Sequence, residues 1–186
     1  MDLHHLILFS HIAAMTGLFS ALAIEGTTLR FLRRATSYEQ ARGWIDVWSV
    51  LPTIGAPSLL IALASGIYLA TSLGLWDFGW TRIAIPTLVI VAIAGGITAS
   101  YRKRVRTTVG TNIGPLPDDL RKHLRRPLES SSWSLRAALL AGLVFEMTTK
   151  PDGALLIMTG FALVGIVGAL GFRFVGALEN AQAPDR

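Results

Sequence analysis

Cysteine is absent from the 186 residues, and charge is scarce: 16% of the chain is Asp, Glu, Lys or Arg, while 52% is hydrophobic. A soluble domain carries roughly 25% charged residues. Without a thiol the chain cannot build a thiolate zinc site, an iron–sulfur cluster, a CxxCH haem attachment or a thiol redox relay. Its composition also excludes a disulfide-stapled secreted domain, a disordered chain and a collagen-like repeat. Any metal or haem must be held by His, Met, carboxylate or backbone groups. Acidic residues are the scarcer charge, 12 against 17 basic ones, and the pI is near 10.2 with a mean hydropathy of +0.51. A basic patch on a soluble face is a footprint for phosphates. Here the basic residues sit between apolar runs, where they report topology, so nucleic acid is not an expected partner. GxSxG, HExxH, P-loop and GxGxxG signatures are missing from any suitable context. The spans hold no Asp for intramembrane proteolysis, and no related halves with broken helices mark a repeat-built transporter.

What is present is hydrophobic length. A hydrocarbon core of roughly 30 Å takes about 20 helical residues. Five stretches serve: residues 6–24, 57–75, 83–100, 134–149 and 154–172. Met1 and Asp2 offer no basic leader, so the first run reads as a retained helix and not a signal peptide. Pro57 and Pro86 each suit the first turn of a helix. The fourth stretch carries Arg136 and Glu146 and is uncharged only over residues 137–145. It still reads as a span, because both charges lie near its ends, where long side chains reach the headgroups. Lys150-Pro151-Asp152-Gly153 makes the turn into the fifth. The expected fold is all-α, a single integral membrane bundle of five transmembrane helices.

Charge orients it. Fifteen of the seventeen basic residues fall in the links one–two and three–four, at Arg136 or in the C-terminal tail; only Arg82 and Lys150 fall elsewhere. Cytoplasmic loops collect Lys and Arg, so the N-terminus is expected outside and the C-terminus in the cytoplasm of a bacterial cell (inner) membrane. All five tryptophans fall at expected interfaces, as an aromatic belt. Residues 38–51, with Ile45, Trp48 and Leu51 among polar neighbours, read as an amphipathic segment on the inner surface. The basic loop 102–132, with Gly110, Gly114, Pro115 and Pro117, reads as irregular and attracted to anionic lipid headgroups. Ala62, Gly66 and Ala70, and again Ala92, Gly96 and Ser100, are spaced for close helix approach.

The chemistry-bearing residues gather at the outer end. His4, His5 and His11 belong to helix one, and His4 and His11, seven apart, share a face. Met147 and Glu146 end helix four, and Met158 lies about a turn into helix five. Imidazole and thioether together suit haem or Cu(I). Blander readings stand beside this one. His4 and His5 fit interfacial side chains, His11 fits a neutral histidine bonded to a neighbouring helix, and the methionines fit apolar filler. Glu146 is placed to pair with Lys150.

The stretch from His11 to Phe19, HIAAMTGLF, followed by Arg30, Arg33 and Arg34, resembles the first helix of the membrane-embedded bacterial protoporphyrinogen oxidase family and of the copper-resistance D-type proteins. The resemblance covers about 25 residues of helix one. It implies that His11 is a ligand serving haem. Three functions follow as expectations: binding of haem b or another redox cofactor through His11, copper handling through His4, His5, His11, Met147 and Met158, or an accessory subunit with no cofactor. A homo-oligomer or a membrane-complex partner is compatible with each.

Overall fold

A computed structural model describes residues 2–125, 127–150 and 153–181. Six α-helices follow in order: α1 (Leu3–Leu32), α2 (Tyr38–Ser72), α3 (Gly79–Val109), α4 (Asp118–Leu124), α5 (Pro127–Thr149) and α6 (Ala154–Ala181), with a short 3-10 turn at Leu75–Asp77. The fold is all-α. Helices α1, α2, α3 and α6 are long and apolar enough to cross a membrane. Arg126, Pro151, Asp152 and Arg186, and the side chain of Arg173, lie outside the described residues, so the turn expected at 150–153 is seen only at its ends.

Large apolar side chains cover the outside of the bundle as well as filling its inside. Phe9, Leu60, Ile93, Leu156 and Val167 point outward, while Glu25, Thr28, Ser65, Thr98, Arg136 and Glu146 are buried. Hydrocarbon accepts the first group without penalty, and the second must find partners inside. Helix α5 is the extreme case. It packs against α1, α3 and α6, and its Leu139, Leu140, Leu143 and Glu146 face inward. It is not apolar enough to count among the four spanning helices, because its charges are sheltered by protein instead of being excluded from the element.

Several expectations require correction. Residues 38–51 are not a separate surface segment; they form the first turns of α2, which runs 35 residues, about 52 Å. Pro52 and Pro57 both lie within it. Membrane helices tolerate such prolines because neighbours and side chains satisfy the freed carbonyls. The buried apolar face of this stretch packs on protein. Ile45, Trp48 and Leu51 pack with Val105, Val109, Leu116, Leu120 and Leu124 in a small core beyond the spans. A stripe docked on protein and a stripe lying on lipid have the same period, so the pattern alone could not separate them.

The loop 102–132 is likewise mostly helical. Helix α3 continues to Val109, and α4 and the start of α5 fill the rest. Among the described residues, Arg125 is a turn after α4 and 110–117 is the irregular stretch. There Gly114, at φ +102°, turns the chain so that its carbonyl accepts from Tyr38 N (3.0 Å) while Leu116 N donates to Thr36 O (3.0 Å). Ser37 caps α2 by accepting from Gln40 N at 3.3 Å. This clasp, with Arg42 Nη2 donating to Asn112 O at 2.7 Å and Arg33 Nη1 to Ser130 Oγ at 3.0 Å, gathers the basic links at one end of the bundle. His4, His5, Arg82 and Lys150 belong to the other end. The two are called here the basic end and the histidine end.

The aromatic belt is incomplete. Trp48 and Trp80 are buried in protein, and Trp133 donates from Nε1 to Leu22 O at 2.8 Å over Gly26, where a Cβ would stand 2.6 Å from the indole. Of the two small-residue stripes, the one in α2 admits a neighbour: a Cβ on Gly66 would lie 3.2 Å from His11 Cε1. The one in α3 does not act as expected, since nothing lies within 4 Å of a Cβ on Gly96.

Candidate functional site

At the histidine end, α1 and α2 are held together by a polar contact in the apolar layer. His11 Nδ1 lies 2.9 Å from Ser65 Oγ. That hydroxyl has one hydrogen, and the carbonyls of Ile61 and Ala62, about one turn back, both lie within its hydrogen-bond reach. When that hydrogen goes to a carbonyl, Ser65 accepts from a ring proton on Nδ1, the tautomer that leaves Nε2 as the acceptor nitrogen. Holding one ring nitrogen through an oxygen so that the other is presented is how proteins orient a ligating or proton-accepting histidine.

His11 lines a cavity of about 280 Å³, together with His4, Met147, Trp76, Trp80 and Lys150 among apolar residues of α2 and α3. Three of the five expected ligands thus share one wall. His5 does not: its side chain is 69% exposed, with Nδ1 3.8 Å from Asp2 Oδ2. Met158 does not line it either, being buried in the apolar core with Leu139, Leu140 and Leu143. Among the described residues, no group of three His, Asp or Glu side chains is placed to hold a metal ion. The seven-residue step from His4 to His11 is about 10 Å along the helix, whereas two nitrogens on one ion sit roughly 4 Å apart. The donor set fits a group bound through one imidazole nitrogen better than an ion caged by several.

The same end holds polar atoms with no hydrogen-bond partner among the described residues: Trp80 Nε1, Thr81 Oγ1 and both carboxylate oxygens of Glu146. Glu146 is 0% exposed, and the expected pairing with Lys150 is not made. Only the backbone joins them, Lys150 N donating to Glu146 O at 2.8 Å. Helical periodicity places Glu146 on the inward face with Leu139 and Leu143, while Lys150 leaves the helix at φ +49° and is exposed.

A second polar centre was not anticipated. Near the basic end, Glu25 of α1 is 4% exposed and receives both Arg136 Nη1 and Nη2, each at 2.9 Å. Arg102 Nη1 donates to the same carboxylate at 3.1 Å. The Arg102 guanidinium also sits over the Trp48 ring, 5.6 Å from its centroid. Glu129 is buried nearby, within electrostatic reach of both arginines, with neither oxygen hydrogen-bonded among the described residues. A buried carboxylate between two guanidiniums joins α1, α3 and α5 through one point, and bidentate Arg–carboxylate geometry makes that point strong. The signal for it was available. Glu25 directly follows the uncharged run 6–24, and Arg102 and Arg136 adjoin two other runs. Counted singly as boundary charges, they gave no hint that they meet.

No family model, curated protein or solved structure matches the chain.

Proposed function

We propose that this chain is a multi-pass protein of a bacterial inner membrane that binds a redox cofactor, haem b, through His11. The observation that carries the reading is the contact with Ser65, which holds the ring of His11, a residue that lines a cavity; the tautomer protonated on Nδ1 would leave Nε2 for a ligand. The resemblance of helix one to haem-serving first helices points to the same residue. A bound haem would supply one-electron chemistry. The chain's own part is to fix the imidazole through Ser65, to exclude water with the apolar walls, and to offer Lys150 as a cation on the lining. In this reading the basic end faces the cytoplasm and anionic lipid headgroups, the N-terminus lies outside, and α5 crosses as a fifth member. Copper is the second reading, favoured by the shared lining of His4, His11 and Met147.

An absorbance scan of detergent-purified protein decides. The expected result is a Soret band that is lost in His11→Ala. In Ser65→Ala, haem affinity should fall by about 10- to 100-fold, the usual cost of removing an outer-shell partner. Met147→Leu should leave the band in place. Stoichiometric Cu(I) without a Soret band would replace haem by copper. Neither signal would leave an accessory subunit without cofactor.

A further inference from the structure

Between α1, α2, α3 and α5, toward the basic end, lies a larger cavity of about 390 Å³. That is within the range of roughly 300 to 1,000 Å³ that encloses small-molecule ligands. Its walls are apolar, with Leu18, Leu22, Leu59 and Val91 among them, and its charged floor is made by Glu25, Arg102 and Arg136. It exists because the facing turns of α2 and α3 carry little side chain: Gly55, Gly95 and Gly96 all line it. An apolar cavity with guanidinium groups on its lining has the polarity of an amphiphile.

The floor is not charge-balanced at hydrogen-bond range. Two guanidiniums share the single carboxylate of Glu25. Arg136 has each of its three nitrogens in a hydrogen bond, Nη1 and Nη2 on Glu25 and Nε donating to Ser132 O at 3.3 Å, and its side chain is 8% exposed. Arg102 does not. It gives Nη1 to Glu25, and its Nη2 makes only a long 3.4 Å contact with Gly95 O. A guanidinium has five N–H donors, so Arg102 keeps hydrogens to offer, and its side chain is 14% exposed. The Arg102 guanidinium also lies over the Trp48 ring, 5.6 Å from its centroid, which helps hold it in place.

We propose that this cavity binds a single-chain anionic amphiphile, its alkyl chain along the apolar walls and its carboxylate or phosphate oxygen on Arg102. This is a stoichiometric site, distinct from the diffuse attraction of the basic links for headgroups. A free fatty acid and a lysophospholipid share the chemistry, and the test separates them.

Protein purified in neutral detergent is titrated with radiolabelled oleate, lysophosphatidylglycerol or uncharged monoolein. One saturable equivalent of an anionic probe per chain is expected, with monoolein at least tenfold weaker. Tighter binding of oleate identifies the head as a carboxylate, and tighter binding of lysophosphatidylglycerol identifies it as a phosphate. Arg102→Gln, which leaves the bidentate Arg136–Glu25 pair intact, should lower anionic affinity to the monoolein level. Gly96→Leu should abolish binding of all three by filling the slot. It has room, since nothing lies within 4 Å of its Cβ, and its thermal melting should be unchanged. Equal binding of monoolein and oleate, or a Gly96→Leu chain that binds as well as the parent, would reduce the cavity to a groove for bulk lipid and overturn the proposal.

Discussion

Single side chains carry unusual weight where the surroundings are apolar. Glu25 accepts three charge-assisted hydrogen bonds from two arginines on other helices. Removing one member of a buried ionic cluster leaves the others uncompensated, at a cost of roughly 3–5 kcal/mol. Glu25→Gln is therefore expected to lose about that much stability, measured by reversible unfolding in mixed micelles. Arg102→Gln should lose less, roughly 1.5 kcal/mol for one charged hydrogen bond, because the Arg136 pair survives. A Glu25→Gln loss no larger than the Arg102→Gln loss would show that the cluster is not the tie between helices. At this scale the sequence was half legible. His11 stood out because an imidazole inside an uncharged run is rare and costly. Glu25 did not, because a charge at the edge of a hydrophobic run is ordinary until a partner in three dimensions is known.

The helices show what period can and cannot decide. The hydrophobic runs lie within α1, α2, α3, α5 and α6, apart from the last residues of the second, since α2 stops at Ser72. Their helical continuations beyond the hydrophobic runs were missed. Residues 38–51 carry a sound amphipathic stripe, yet its partner is the core around Val105 and Leu120, which sequence distance hid. The contacts of α5 were equally hidden. Its union with α1 depends on Gly26, over which the Trp133 indole lies. Gly26→Ala should force that ring aside and destabilise by about 1–3 kcal/mol, as overpacking does. At the far end of α5, Lys150 holds a left-handed conformation that favours glycine. Lys150→Gly should raise stability by about 0.5–1 kcal/mol. Thermal melts of the two variants should move in opposite directions, and movement in one direction would contradict the local geometry of α5.

For the molecule as a whole, the distribution of charge was the most informative part of the sequence. The links rich in Arg and Lys do converge on one end, tied by Arg33 to Ser130 and by Arg42 to Asn112. Local composition predicts this because each link obeys the same rule independently. Which end faces which compartment follows from the rule and is open to labelling. The chain lacks cysteine, so single cysteines can be placed at the exposed positions Ser72, Asn112 and Lys150. In intact cells an impermeant thiol reagent is expected to reach Ser72→Cys and Lys150→Cys but not Asn112→Cys. Labelling at Ser72 without Lys150 would place the two ends of α5 on the same side and reduce the crossings to an even number.

The inward polarity of α5 also bears on how the protein is made. A segment that keeps Glu129, Arg136 and Glu146 away from lipid only by leaning on α1, α3 and α6 offers bare hydrocarbon little reason to admit it. The shelter α5 finds on α6 comes from residues made after it, so if α5 crosses as proposed, entry of the two as a hairpin is the expected outcome. A chain halted after residue 149 would then be expected to leave α5 unsheltered, the last stretch synthesised governing the fate of the one before it.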